Sequence, residues 1–310
     1  MDAEFHYYSL YLILRAVGLD NNTSAIIAYS SQYTDDNYTE YNIRSNSGEI
    51  YRNQCSAIMD PIAIMLGYGD TILQNFHFII GEHRLHPKAV TRDSPKAQSM
   101  LSSALQTRCP YLLGIALHAY ADTWAHENFI GGYDAFNGKA GIFESVVPNI
   151  GHADFGILPD LVGVCWYDKR FAKHVDNNVK FLECAATIFD KLHEAFNLLA
   201  QSRADIAKKQ VLSVLGKIYS NSAQYSLLRH IARSKRRIGL YQKAVEHCYH
   251  DYLPIYDNRS WFQQGVRIIG DDYYFRSEIE ECDNQHGHWF NFQEAVKKFN
   301  AIQEELCKNF

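Results

Sequence analysis

Apolar positions recur at steps of three and four through most of this chain. Phe5, Tyr8, Leu12 and Arg15/Ala16 follow helical spacing, and Gly18 supplies a stop. A second helix is predicted to start after Asn22 or Thr23, both capping residues, and to run through "SAIIAYSSQYTDD". Residues 37–53 are polar, contain Gly and Asn, and read as a loop. A buried segment follows around 56–80, then a second loop, "GEHRLHPKAVTRDSP". Residues 97–128 carry one or two apolar helices, broken at Pro110. "GGYDAFNGKAG" reads as a third loop, and 148–163 is punctuated by Pro and Gly.

The second half is more plainly structural. Val175, Val179, Leu182, Ala186, Phe189, Leu192, Phe196 and Leu199 mark one face of a long amphipathic helix. Further helices are predicted over 204–219, 224–249 and 292–307, the last turning Phe292, Val296, Phe299 and Ile302 inward. Residues 251–290 are irregular and rich in aromatics. No convincing strand alternation, internal repeat or linker is present. The expectation is an all-α protein, one multi-helix bundle over residues 1–310. Ligand-type residues concentrate in about 1–165, and the helices of about 166–310 read as scaffold.

Composition narrows the function classes. With 47% apolar and 21% charged residues, the chain suits a globular protein. A net charge of -5 gives no global basic field, which argues against strong non-specific nucleic-acid binding. No apolar run approaches the ~18 residues of a membrane span. The opening "MDAEFHYYSLYLIL" is acidic before its apolar part, a poor signal peptide, so a cytoplasmic location is expected, with export by another route left open. The seven cysteines are scattered without a CxxC pair, which points to reduced thiols rather than a zinc ribbon or a redox motif.

The candidate chemistry lies in "LHAYADTWAHENF". His118, Asp122 and His126 stand at successive i+4 steps inside an apolar helix. Such steps keep all three on one face, along about 12 Å of axis. Imidazole and carboxylate are both zinc ligands, and buried ionisable groups are rare unless paired or coordinating. Two residues one turn apart can share an ion, and the third reaches a neighbouring ion more naturally, so the strip suits a polynuclear site. Tyr120 and Trp124 sit to the side and read as packing residues.

Other candidates are scattered upstream and downstream. "EFHYY" puts His6 in an aromatic helix, and "SQYTDDN" puts Asp35 and Asp36 at a helix end. "NFHFIIG" sets His77 between phenylalanines, and "GHADFGILPD" places His152, Asp154 and Asp160 in a turn-rich loop. Taken singly, each also reads as a cap, turn or surface residue. Their joint order, His, Asp, His, HxxxDxxxH, His, is what raises them.

That order resembles the zinc-dependent phospholipase C and P1-type nuclease superfamily. The resemblance covers roughly residues 1–160, with "HF" and HxxxDxxxH as its more specific parts. The whole chain also looks like an uncharacterised bacterial branch of that superfamily. The resemblance implies an all-helical fold, two or three zinc ions (other divalent ions being possible) and phosphodiester hydrolysis by a water whose pKa the metal lowers toward ~7. It implies ligands at His6, Asp35 (slightly favoured over Asp36), His77, His118, Asp122, His126 and His152, with Asp35 and Asp122 catalytic. Its substrates would be phospholipids or single-stranded nucleic acid. Two departures stand out. In the secreted enzymes a processed N-terminal Trp binds one ion, whereas this chain starts at Met1 with no cleavage site, which puts the third ion in question or leaves it to groups near His6. The acid expected four residues after the late His is replaced by Gly156. It must come from Asp154 or Asp160, and Asp160 is favoured because a turn at Pro159 can fold it back.

Three other readings compete. His250-Asp251, with His247 nearby, could be the pair of an HD-type phosphohydrolase, without convincing partners. A zincin motif fails because Ile130 stands where HExxH needs its second His. A helical interaction protein with a structural or vestigial metal is the non-catalytic alternative. The basic cluster "RHIARSKRR" (229–237) reads as a solvated helix end or as a contact to an anionic headgroup or phosphate backbone.

Overall fold

The computed structural model describes residues 1–45, 47–138, 149–221, 226–276 and 287–309. The first helix opens as a π-helical stretch, Glu4–Ser9, and continues as α1, Leu10–Val17, ending at Gly18 with φ 104°. All six residues of the π stretch are buried, which gives His6 a place inside the molecule. Helix α2 spans Asn21–Asp36, a little longer than expected, because Asp20 caps it by accepting from the Thr23 amide.

After two short strands come α3, Pro61–Met65, and α4, Asp70–Phe76. Ser94 caps α5, Pro95–Thr107, and Pro110 opens α6, Pro110–Ala125, as the break in the pattern implied. Every residue from Leu112 to Ala125 is buried. Helix α6 is therefore the centre of the bundle, packed by α2 and α5 and by two later helices, α7 (Asn177–Phe196) and α12 (His288–Asn309). The α2–α6 crossing is close at Gly114, where a Cβ would meet the Ser30 side chain and the Ile27 carbonyl. This lack of a side chain, one turn before His118, lets α2 bring Asp35 against α6.

The scaffold half contains α7, α8 (Gln201–Tyr219), α9 (Leu227–Ala232), α10 (Ser234–Tyr249), α11 (Ser260–Gly265) and α12. The expected 224–249 helix divides at Arg233, and 222–225 lie outside the described residues. Cys282 and part of the 131–141 loop also lie outside them.

The protein is mostly helical rather than all-α. Strands β1 (Asn42–Arg44) and β2 (Ile50–Arg52) form in the stretch read as a loop. They join β5 (Val266–Ile269) and β6 (Asp272–Phe275) in one sheet of order β2-β1-β6-β5, with β1 parallel to β6. A hairpin of β3 (Cys165–Asp168) and β4 (Lys173–Asp176) claims Val175, so α7 starts only at Asn177, capped by Asp176. Val179 is exposed, and Leu199 lies beyond the helix. Strands this short give too few alternations to be read from periodicity. Among the described residues, no helix is long and apolar enough to cross a membrane.

Candidate metal centre

Five chain segments converge beside α6. The π-helical turn supplies His6, the end of α2 supplies Asp35, and the residue that closes α4 is His77. Helix α6 supplies His118 and Asp122, with His126 as the residue just past its end. Two short 3-10 turns in the 149–163 loop, Ala153–Phe155 and Leu158–Asp160, hold His152 and Asp160.

The side chains form three ligand groups: His6, His118 and Asp122; Asp35, His77 and His118; His126, His152 and Asp160. Within each, one ligand atom per residue lies within 4.8 Å of the others, close to the spread of ligands on a common ion at bonds of about 2.0–2.2 Å. Asp122 sits between the groups. Its Oδ1 is 3.1 Å from His6 Nε2, and its Oδ2 is 3.3, 3.4 and 3.7 Å from ring nitrogens of His118, His77 and His126. The rings of His6 and His118 stack with centroids 3.9 Å apart.

Three imidazoles are aimed by main-chain carbonyls. His77 donates Nε2–H to Ser56 O at 2.8 Å, His126 donates Nδ1–H to His77 O at 2.7 Å, and His152 donates Nδ1–H to Gly156 O at 2.7 Å. A carbonyl accepts only, so the proton of each neutral ring is committed outward and the inner nitrogen offers a lone pair. Those lone pairs face carboxylates. His126 Nε2 is 3.0 Å from Asp160 Oδ1, and His152 Nε2 is 3.0 Å from Asp160 Oδ2. Two acceptors at that distance need a proton or a metal cation between them. Phe78, stacked on His126 at 4.3 Å, holds that ring from its face.

Buried atoms without hydrogen-bond partners add to this. Asp122 Oδ2 and His118 Nδ1 are both buried, and neither makes a hydrogen bond among the described residues. A buried ionised oxygen left in that state is costly, and coordination relieves it. The donor set, five imidazoles and three carboxylates, with three of the rings committing their protons outward, thus fits zinc-type divalent ions.

Protonation follows the same crowding. Burial opposes ionisation of Asp122, yet the Met1 amine and the imidazoles of His126, His118 and His6 hold its carboxyl well below the usual range. Burial likewise opposes Asp160, which His152 and the Met1 amine hold low. The Met1 amine ion-pairs with Asp122 and stands 3.3 Å from Asp160 Oδ1. Burial alone would lower its pKa, but Asp122, Asp160 and Asp35 push it up to about 11. Burial raises Asp35, the carboxylate of the site most open to solvent. His6 and His126 are pulled down, chiefly by burial, whereas carboxylate neighbours outweigh burial at His77 and His152 and raise them.

The sequence-predicted residues do not all converge. Asp36, next to Asp35, is outside the three groups: its carboxylate accepts from Tyr256 Oη at 2.8 Å and Asn258 Nδ2 at 3.2 Å. Adjacent residues at a helix end point about 100° apart, so only one can face the site. Asp154 is also outside the groups, and Asp160 stands beside His126 and His152. Gly156 contributes a carbonyl where an acid was expected. Of the HD-type pair, Asp251 accepts from Arg15 at 2.6 Å and from Tyr11 at 3.1 Å, and neither residue belongs to a ligand group. Tyr120 and Trp124 are buried packing residues. Sequence reasoning missed the carbonyls of Ser56, His77 and Gly156. Main-chain groups leave no residue-type signal.

The chain belongs to a family of unknown function, DUF6765, whose sequence profile matches residues 1–306. No curated protein and no solved structure matches it.

Proposed function

We propose that the protein is a metal-dependent phosphodiester hydrolase holding two or three zinc-type ions between His6, Asp35, His77, His118, Asp122, His126, His152 and Asp160. The observation that carries this reading is the convergence of five imidazoles and three carboxylates into three adjoining ligand groups. The order of those residues, similar to that of the zinc-dependent phospholipase C and P1-type nuclease superfamily, supports the reaction class.

Bound divalent ions would supply an acidified water near neutral pH and positive charge against the phosphoryl oxygens. The chain's own groups do the rest. Asp122 stays ionised and balances charge at the centre. Asp35, raised by burial and a third exposed, is the group that can take up the proton of an attacking water and return it to the leaving oxygen. The carbonyls of Ser56, His77 and Gly156 keep three imidazoles from rotating. The substrate class is a phosphodiester, in a phospholipid or a single-stranded nucleic acid.

The complete burial of His6, His118 and Asp122 favours a second reading, a structural ion in a non-catalytic helical protein. The test is a panel: the zinc-supplied chain with an aryl phosphodiester, phospholipid vesicles and single-stranded nucleic acid. Turnover of at least one, lost on chelation and regained with zinc, is expected. A metal-loaded chain that turns over none of them belongs to the second reading.

A further inference from the structure

The basic stretch 229–237 is not a uniform solvated helix end. Helix α9 passes into α10 with hydrogen bonds carried through the junction, Arg233 N to Arg229 O at 3.1 Å and Arg237 N to Arg233 O at 3.0 Å. One helical register therefore sorts its side chains. His230, Arg237 and Tyr241 face inward and are buried. Arg237 donates from Nε and Nη2 to both oxygens of Glu4, at 2.8 and 2.6 Å, which fastens the helix to the turn bearing His6. Leu228, Ile231, Ala232 and Lys235, spaced i, i+3, i+4 and i+7, form the outward stripe, flanked by Arg229, Arg233 and Arg236. Leu228 is 81% exposed and Ile231 51%.

This arrangement is unusual for a helix that faces only water, which keeps charge outside and aliphatics inside. Here the ion-paired groups are inside, and aliphatics and cations are outside. No Asp or Glu occurs from 226 to 245, so this segment carries no acid of its own to offset its cations, in a chain of net charge -5.

We propose that this face docks the protein on a bilayer surface bearing anionic lipids. Leu228 and Ile231 enter the headgroup–acyl boundary, and Arg229, Arg233, Lys235 and Arg236 meet lipid phosphates and carboxylates. A nucleic-acid backbone would satisfy the arginines but leave both aliphatics in water. A bilayer accepts both kinds of side chain, and its charge complements the patch. The docking goes beyond the proposed hydrolysis and needs no metal.

The test is co-sedimentation of the full chain with vesicles of phosphatidylcholine alone or with about one-third phosphatidylserine. Binding to the phosphatidylserine vesicles is expected, weakening as salt rises and unchanged by chelator. R233Q/R236Q should weaken it roughly 10- to 30-fold. L228S/I231S should weaken it at least about 10-fold. These residues are exposed, so circular dichroism should show both variants folded. No preference for phosphatidylserine vesicles would overturn the proposal. So would tighter binding to a single-stranded oligonucleotide that L228S/I231S leaves intact. Vesicle binding without turnover leaves docking standing and counts against hydrolysis alone.

Discussion

His126 donates its Nδ1–H to the main-chain carbonyl of His77 at 2.7 Å, so the backbone of one candidate ligand aims the ring of another. The two imidazoles belong to different ligand groups, and this bond ties the groups together across the end of α6. Since Ser56 O in turn aims His77, main-chain carbonyls set the inward nitrogens of both rings. Such preorganisation suits binding, and it makes the site sensitive to the backbone as well as to the ligands.

Asp122→Asn should be the most damaging single change at the site. It removes the carboxylate that touches His6, His77, His118 and His126. The variant should lose at least about one ion per chain, and phosphodiester turnover should fall more than about 100-fold, because even the partners that orient ligands are worth 10- to 100-fold. Elemental analysis and an aryl phosphodiester assay check this, with circular dichroism reporting the fold. Full metal content and full turnover would remove Asp122 from the account.

Gly156→Ala tests the carbonyl that aims His152. Gly156 has φ 59° and ψ -138°, a conformation that side chains strongly disfavour, although a Cβ there would meet no neighbour. The cost is therefore conformational, about 1–3 kcal/mol, and it acts where the His152 ring is held. Weaker metal binding at the His126, His152, Asp160 group, by about 10- to 100-fold, should accompany the loss. Metal titration and thermal melting together decide; unaltered affinity would show that the ring needs no such anchor.

Gly114→Val tests the helix crossing. The added side chain would press on the Ser30 side chain and the Ile27 carbonyl and push α2 from α6. Overpacking of this kind costs about 1–3 kcal/mol. Asp35 rides on α2 and His118 on α6, so the group they share with His77 should bind metal less tightly than the His126 group. Equal weakening of both groups, or none, would contradict the crossing's role.

His230 gives a pH signature outside the three ligand groups described above. Burial, and then the Arg237 guanidinium, pull it down to about 4. Unfolded, it titrates near pH 6.5. Between those values the unfolded chain binds more protons than the folded one, so stability rises with pH across that window and is lost as pH falls through it. His230→Gln keeps an acceptor for Arg237 and does not titrate. It should reduce the loss between about pH 6.5 and pH 4 by about 1–3 kcal/mol. Urea unfolding of the metal-free proteins at both ends of the window reads this directly; an identical pH slope in the variant would refute it.

Some of this was legible in the chain and some was not. Helical spacing alone put His118, Asp122 and His126 on one strip, because regular geometry makes i+4 positions coincide. Pro159 signalled a turn, and Asp160 at that turn stands beside His126 and His152. Asp35 was only slightly favoured over Asp36, because a two-residue choice at a helix end depends on its last turn. The small strands escaped because β1 buries only Ile43. Arg237 looked like one more surface cation; its partner Glu4 lies 233 residues away, beyond any local pattern. The anchoring carbonyls escaped for a deeper reason: every residue has one, and only the fold decides which of them meets an imidazole.

The account rests on bound metal. Elemental analysis of the chain, purified without chelator and dialysed against metal-free buffer, tests it most directly. Two or three zinc-type ions per chain, reduced in Asp122→Asn, is the predicted result. A chain with no stoichiometric metal, which also fails to take up zinc on titration, would contradict the account at its root.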